Sequence, residues 1–215
     1  MTRRGVGSNQ YKSRVGSGTD ASVAGDLLRQ AGGLSAEQRR EAAENPHTPA
    51  GTLVQLANDV DVEVRVGVAE NPHTPVGTLV QLAGDKEWIV RAEVAENPRT
   101  PVRVLTRLAR DKTWIVRVGV AKQRNAPADT MVQLAGEEDP DVRQAVAENP
   151  SCPPDVLARL AGDPNEVVRQ EVAENPSCPP NVLPQLAVDE DADVRRRALE
   201  NPNLPEEYRV LHRLA

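Results

Sequence analysis

The sequence predicts an all-α solenoid of short paired helices, and three observations carry that prediction. A 26-residue unit recurs six times over residues 45–200. Each unit holds two helix signatures, both too short to persist alone in water. The side chains available for a core are small, since the 215-residue chain has no Phe, two Trp and two Tyr. Such a core suits thin stacked layers better than one broad interior.

The elements follow in order along the chain. Residues 1–20 carry Arg3, Arg4, Lys12 and Arg14 among Gly and Ser, and read as a disordered basic arm. Residues 21–44 read as an N-terminal capping half-repeat, with Leu27-Leu28 and a capping box at Ser35 and Gln38. The repeats then announce themselves by Ala-Glu-Asn-Pro, with Asn at 45, 71, 97, 149, 175 and 201 and Gln123-Arg124 in the missing place. In the first helix of a repeat Thr48 is placed to cap, Pro49 takes the first helical position, and Leu53, Leu56 and Ala57 share one face. Leu79 and Leu82, Leu105 and Leu108, and Met131 and Leu134 continue that row, followed by Leu157, Leu160, Leu183 and Leu186. The second helix opens on Asp61, turns Val64 and Val68 inward and stops before Pro72. Asp139-Pro140 offers the same start, and Pro184 should shorten or kink its helix. Residues 201–215 form a C-terminal capping partial repeat, in which Leu211, Leu214 and Ala215 return two residues late.

Asn-Pro-x-x-Pro, Leu-x-x-Leu-Ala, an acid and Val-Arg-x-x-Val-Ala together resemble the leucine-rich repeat variant family of bacterial helical-repeat proteins. That resemblance implies a right-handed superhelix of paired helices near the HEAT and armadillo solenoids, with one helix of each pair short or 3₁₀-like. The repeat is two residues longer than the family's usual one, so a fuller second α-helix is an alternative. A family member with an iron–sulphur cluster carries cysteines ahead of its repeats. Here the first Cys is Cys152, so no cofactor carries over.

Charge narrows the function. The net charge is −6. Residues 1–40 hold 7 basic and 3 acidic side chains, whereas 41–215 hold 19 and 29. An acidic array argues against general binding to nucleic acid or anionic membrane. No apolar run reaches membrane-span length and no signal-peptide pattern opens the chain. Two Cys without a secretory segment point to a reduced, cytoplasmic setting.

A repeat sorts its own residues: what recurs in every copy serves the scaffold. Arg65, Arg91, Arg117, Arg143, Arg169 and Arg195 form one ladder, and Asp59, Asp85, Asp111, Glu137, Asp163 and Asp189 an acidic one to match. These should pair within or between repeats. The Glu row from Glu44 to Glu200 reads as a solvated face. His47 and His73 sit in neighbouring loops, and helices packed roughly 8–10 Å apart hold them too far apart for two-residue metal coordination. The same spacing disfavours a disulfide between Cys152 and Cys178. The third His, His212, lies in the C-terminal cap. No phosphate loop, nucleophile elbow or Cys-x-x-Cys is present. These observations give no catalytic, metal or cofactor residue.

Two departures from the repeat remain. Arg103, Arg107 and Arg110 make a basic stripe in repeat three, followed closely by Gln123-Arg124. The stripe is either a docking strip for an acidic partner or a solvated face. Trp88 and Trp114 stand at equivalent starts of second helices, either as a paired hot spot or as covers for the aliphatic core. The expectation is a monomeric, non-catalytic scaffold that binds a protein or acidic peptide through Trp88, Arg103, Arg107, Arg110, Trp114 and Arg124. The alternative is a nucleic-acid-binding module that uses the stripe and the basic arm.

Overall fold

A computed structural model of the chain describes residues 33–214, with side chains through residue 210. Every regular element among the described residues is helical. Ser35 opens α1 (Ala36–Glu44): its hydroxyl accepts the Gln38 N–H while the Gln38 side chain accepts the Ser35 N–H, which completes the expected capping box. First helices of seven residues follow as α2 (Ala50–Leu56), α4 (Val76–Leu82), α6 (Val102–Leu108), α8 (Ala128–Leu134) and α10 (Pro154–Leu160). They alternate with second helices of nine residues, α3 (Val62–Glu70), α5 (Trp88–Glu96), α7 (Trp114–Lys122), α9 (Pro140–Glu148) and α11 (Glu166–Glu174). α12 (Leu183–Leu186), α13 (Ala192–Glu200) and α14 (Glu206–Leu214) complete the array. Pro184 lies inside α12 and leaves it four residues long.

The second helices stack directly on one another, with α1 as the first of their row, and each first helix packs against the second helices before and after it. Leu53 and Leu56 of α2 and Val64 and Val68 of α3 are buried, as are their counterparts in later repeats. Each such side chain contributes roughly 1.5–3 kcal/mol by leaving water. Helices this short gain most of their stability from neighbours on both sides. The second helices pack closely at Gly67 and Gly119. A Cβ on Gly67 would lie 3.1 Å from the Ala43 Cβ, and one on Gly119 3.0 Å from the Ala95 Cβ.

Three expectations are corrected. The second element is a nine-residue α-helix and the longer of the pair, so the fuller-helix alternative holds and the 3₁₀-like form implied by the resemblance does not. The two extra residues of the repeat leave room for that fuller helix. Thr48 does not cap α2, and Pro49 precedes the helix rather than occupying its first turn. The buried Thr48 hydroxyl instead donates back to the Ala42 carbonyl near the end of α1. Thr74 and Thr100 do the same to Val68 and Val94. The basic arm, Leu27-Leu28 and the side chains of Leu211, His212 and Leu214 lie outside the described residues.

Candidate interaction surface

Two hydrogen-bond ladders tie the stack, one at each end of the second helices. At the starting end, Arg65 of α3 grips Asp85 in the next repeat with Nε and Nη2, at 2.7 and 3.1 Å. Its Nη1 donates to the Asp59 and Val60 carbonyls at 2.8 and 3.3 Å, which holds its own loop. Asp85 also accepts the Glu87 N–H. Burial raises the Asp85 pKa, but the bonds from Arg65 and Glu87 together outweigh it and leave the carboxyl below its usual value. Arg39–Asp59, Arg91–Asp111, Arg143–Asp163 and Arg169–Asp189 repeat the rung. Arg117 departs from this grip: it reaches Glu137 by Nη2 alone, at 3.0 Å, and its buried Nε has no partner among the described residues, while Arg195, last of the row, bonds the Asp189 and Glu190 carbonyls.

At the finishing end the Asn before each Pro forms the second ladder. Asn71 is 1% exposed. Its Nδ2 donates to the Ala43 and Asn45 carbonyls of the previous repeat, at 2.7 and 2.9 Å, and its Oδ1 accepts the His73 N–H of its own loop. Asn97, Asn149, Asn175 and Asn201 repeat this set. Gln123 keeps the inter-repeat half, with Nε2 bonded to the Ala95 and Asn97 carbonyls at 2.8 and 3.1 Å. The loop at Gln123-Arg124 is therefore not broken as a rung. Only the bond to its own loop is lost. The sequence marked these Asn residues as a repeat signature without assigning them this work. Their signal was a fixed amide beside a helix-ending Pro, a buried group that needs acceptors.

The ladders fix where the candidate site residues lie. Trp88 and Trp114 begin α5 and α7 at the arginine end, 42% and 40% exposed. Arg107 and Arg110 follow along α6 and the loop into α7, both exposed, while Arg103 sits a turn earlier. Arg107 donates to the Val80 carbonyl at 3.3 Å, the same backward reach that Arg159 makes to Val132 at 2.9 Å. That bond gives Arg107 a scaffold role besides its charge. Arg124 lies at the asparagine end, a nine-residue helix of about 13 Å away from the Trp pair. The structure brings Trp88, Trp114, Arg107 and Arg110 to one edge and leaves Arg124 on the other.

A further feature was not legible in the sequence. Glu93 of α5 has its pKa pushed up to about 7, by burial first and then by Glu70 and Glu96. Glu171 stands at the same place in α11 and is also raised by burial, but Arg197 of the next second helix bonds it at 3.3 Å. The residue corresponding to Arg197 beside Glu93 is Gly119. The exposed His47 and His73 stay in separate loops, and Cys152 and Cys178 are buried and free, with burial pushing both thiols up to about 12. Among the described residues no group of His, Cys, Asp and Glu gathers as metal ligands, and no helix is long and apolar enough to cross a membrane.

Stacked two-helix repeats tied by polar ladders define a helical-repeat scaffold. The leucine rich repeat variant model matches residues 36–61, 62–87, 88–112, 140–165 and 167–191, and the chain belongs to that family. Unmatched residues 113–139 contain both Gln123 and Glu137. The chain is similar to a solved structure described as a leucine-rich repeat variant with a novel repetitive structural motif. Identity to that protein is 29% and the TM-score 0.64, over 87% of this chain and 73% of the other. The E. coli protein YibA shares the fold at 19% identity and a TM-score of 0.52, over 79% of this chain and 75% of its own. No curated protein matches the chain.

Proposed function

We propose that the chain is a non-catalytic scaffold that binds a partner protein through repeats two to four. The observation that carries this reading is the half-exposed Trp88 and Trp114 at equivalent starts of adjacent second helices, with exposed Arg107, Arg110 and Lys112 at the end of α6 and in the loop that leads into α7. Aromatic and Arg side chains at the centre of a patch dominate binding energy in protein interfaces. The recurrent Arg, Asp and Asn rows are committed to holding the stack, which leaves the departures from the repeat to meet a partner.

The test is affinity capture from the native host with the full chain and with a W88A/W114A variant, followed by identification of what is retained. A protein bound by the wild type and lost from the variant, with helicity unchanged, supports the scaffold and its Trp edge. Equal retention by both moves the contact elsewhere. Robust turnover in a broad hydrolase and transferase screen would overturn the non-catalytic reading. Retention of nucleic acid alone would replace it with nucleic-acid binding.

A further inference from the structure

An open groove of about 390 Å³ lies at the finishing ends of α5 and α7, on the edge away from the Trp pair. Pro98 and Gly119 give it apolar walls, and Glu96, Lys122, Arg124 and Asn125 line it with polar groups. Two of these four residues differ from what the repeat places there, and a third differs in how its backbone is bonded. The residue that closes each second helix is Glu at 44, 70, 96, 148, 174 and 200, and Lys only at 122. The residue after the ladder amide is Pro at 46, 72, 98, 150, 176 and 202, and Arg only at 124.

The third difference is a backbone donor. In the neighbouring loops the Asn Oδ1 accepts the N–H two residues on, at His73, Arg99 and Ser151. Gln123 turns its amide to the previous repeat, and the Asn125 N–H has no protein acceptor among the described residues. Lys122 and Arg124 are exposed and, among the described residues, form no ion pair. Gln123 keeps this loop tied into the stack, so the two charges stand on a fixed backbone that does not need them.

We propose that this groove binds a carboxylate side chain from an acidic segment of a partner protein, with Lys122, Arg124 and the Asn125 N–H as its donors. The inference rests on the scaffold reading and adds a second contact on the other edge of the stack. Charge selects the ligand. Lys122 and Arg124 against Glu96 leave one net positive charge, which matches a single carboxylate. A polyanionic strand would have to cross the flanking Glu70 and Glu148, which repel it.

The experiment uses the full chain and a fluorescein-labelled decapeptide rich in Asp and Glu, read by fluorescence anisotropy at low ionic strength. The variants are K122E/R124P, which restores the residues of the other repeats, K122Q/R124Q, which only removes charge, and R103G/R107Q/R110N, which removes the stripe. The wild type should bind, both groove variants should weaken binding by about tenfold or more, and the stripe variant by about twofold at most. Unchanged binding by K122Q/R124Q, with unaltered helicity, overturns the groove. If the stripe variant alone loses the peptide, the groove fails while the scaffold reading survives. A wild type that ignores the peptide also overturns the groove. Displacement of the peptide by a single-stranded oligonucleotide at equal affinity would assign the donors to phosphate instead.

Discussion

At Glu93 stacking buries a carboxyl between Glu70 and Glu96 without a basic partner in the place Arg197 fills for Glu171. The equivalent places in neighbouring repeats hold Gly67, Gly119 and Ala145, or Glu171 with Arg197 on it. Its pKa of about 7 in the fold exceeds the ordinary 4.5, so the folded state holds the proton more tightly than the unfolded chain. The stabilisation is then complete below about pH 4.5 and is lost as pH rises through about 7. Glu93 is partly exposed, which screens the effect to on the order of 1–2 kcal/mol. The ladder aspartates respond the other way, losing their contribution only as pH falls below the usual carboxylate range. Glu171, also raised by burial, contributes in the same direction, so the comparison of wild type with E93Q in thermal unfolding between about pH 5.5 and 8 isolates Glu93. The wild-type Tm should fall over that window and the E93Q Tm should fall distinctly less. Parallel curves would mean that Glu93 is solvated in the fold.

At the scale of elements, the joint after α7 carries one ion-pair bond fewer than its neighbours and should be the weakest of the rungs. Its Arg117 makes one bond to Glu137 where Arg91 makes two to Asp111, and the Arg117 Nε is buried without a partner. The longer Glu side chain is the only change of acceptor in the acidic row from Asp59 to Asp189. In E137D the guanidinium should regain its two-point grip, adding about 1 kcal/mol in urea denaturation. The reverse change, D85E, should cost a similar amount. If E137D is neutral or destabilising, chain spacing at that joint matters more than the orphaned donor. The acidic and basic rows were legible from the sequence as partners, because both recur every 26 residues. Which Arg meets which Asp was not. A rung joins residues 20 apart, a separation set by stacking and invisible to helical periodicity.

Across the whole molecule, stability is a sum over repeats and the interfaces between neighbours. A stack with one weak joint should part there first. Both Trp residues precede the joint and helices lie on either side of it, so fluorescence reports one block and circular dichroism reports both. The two urea transitions should have separate midpoints in the wild type and converge in E137D. Coincident midpoints in the wild type would show that cooperativity runs through the joint undiminished.

The sequence by itself determined the repeat, the alternation of short helices, the Leu and Val rows of the core and the capping box at Ser35. The repeat shows as a 26-residue recurrence, and the others rest on bonds or periodicities within a few residues, which local chemistry fixes. Only the tertiary structure decided the rest. Thr48 could cap the helix after it or close the one before, and packing of the loop against α1 selected the second. Gln123 looked like a break, yet its longer amide still reaches the carbonyls of the previous repeat. The structure parted Arg124 from the Trp edge, raised the Glu93 pKa and opened the groove beside Lys122. Apart from the Thr48 bond, which spans six residues, these depend on one repeat lying against the next, where groups more than twenty residues apart meet across a gap no local pattern records.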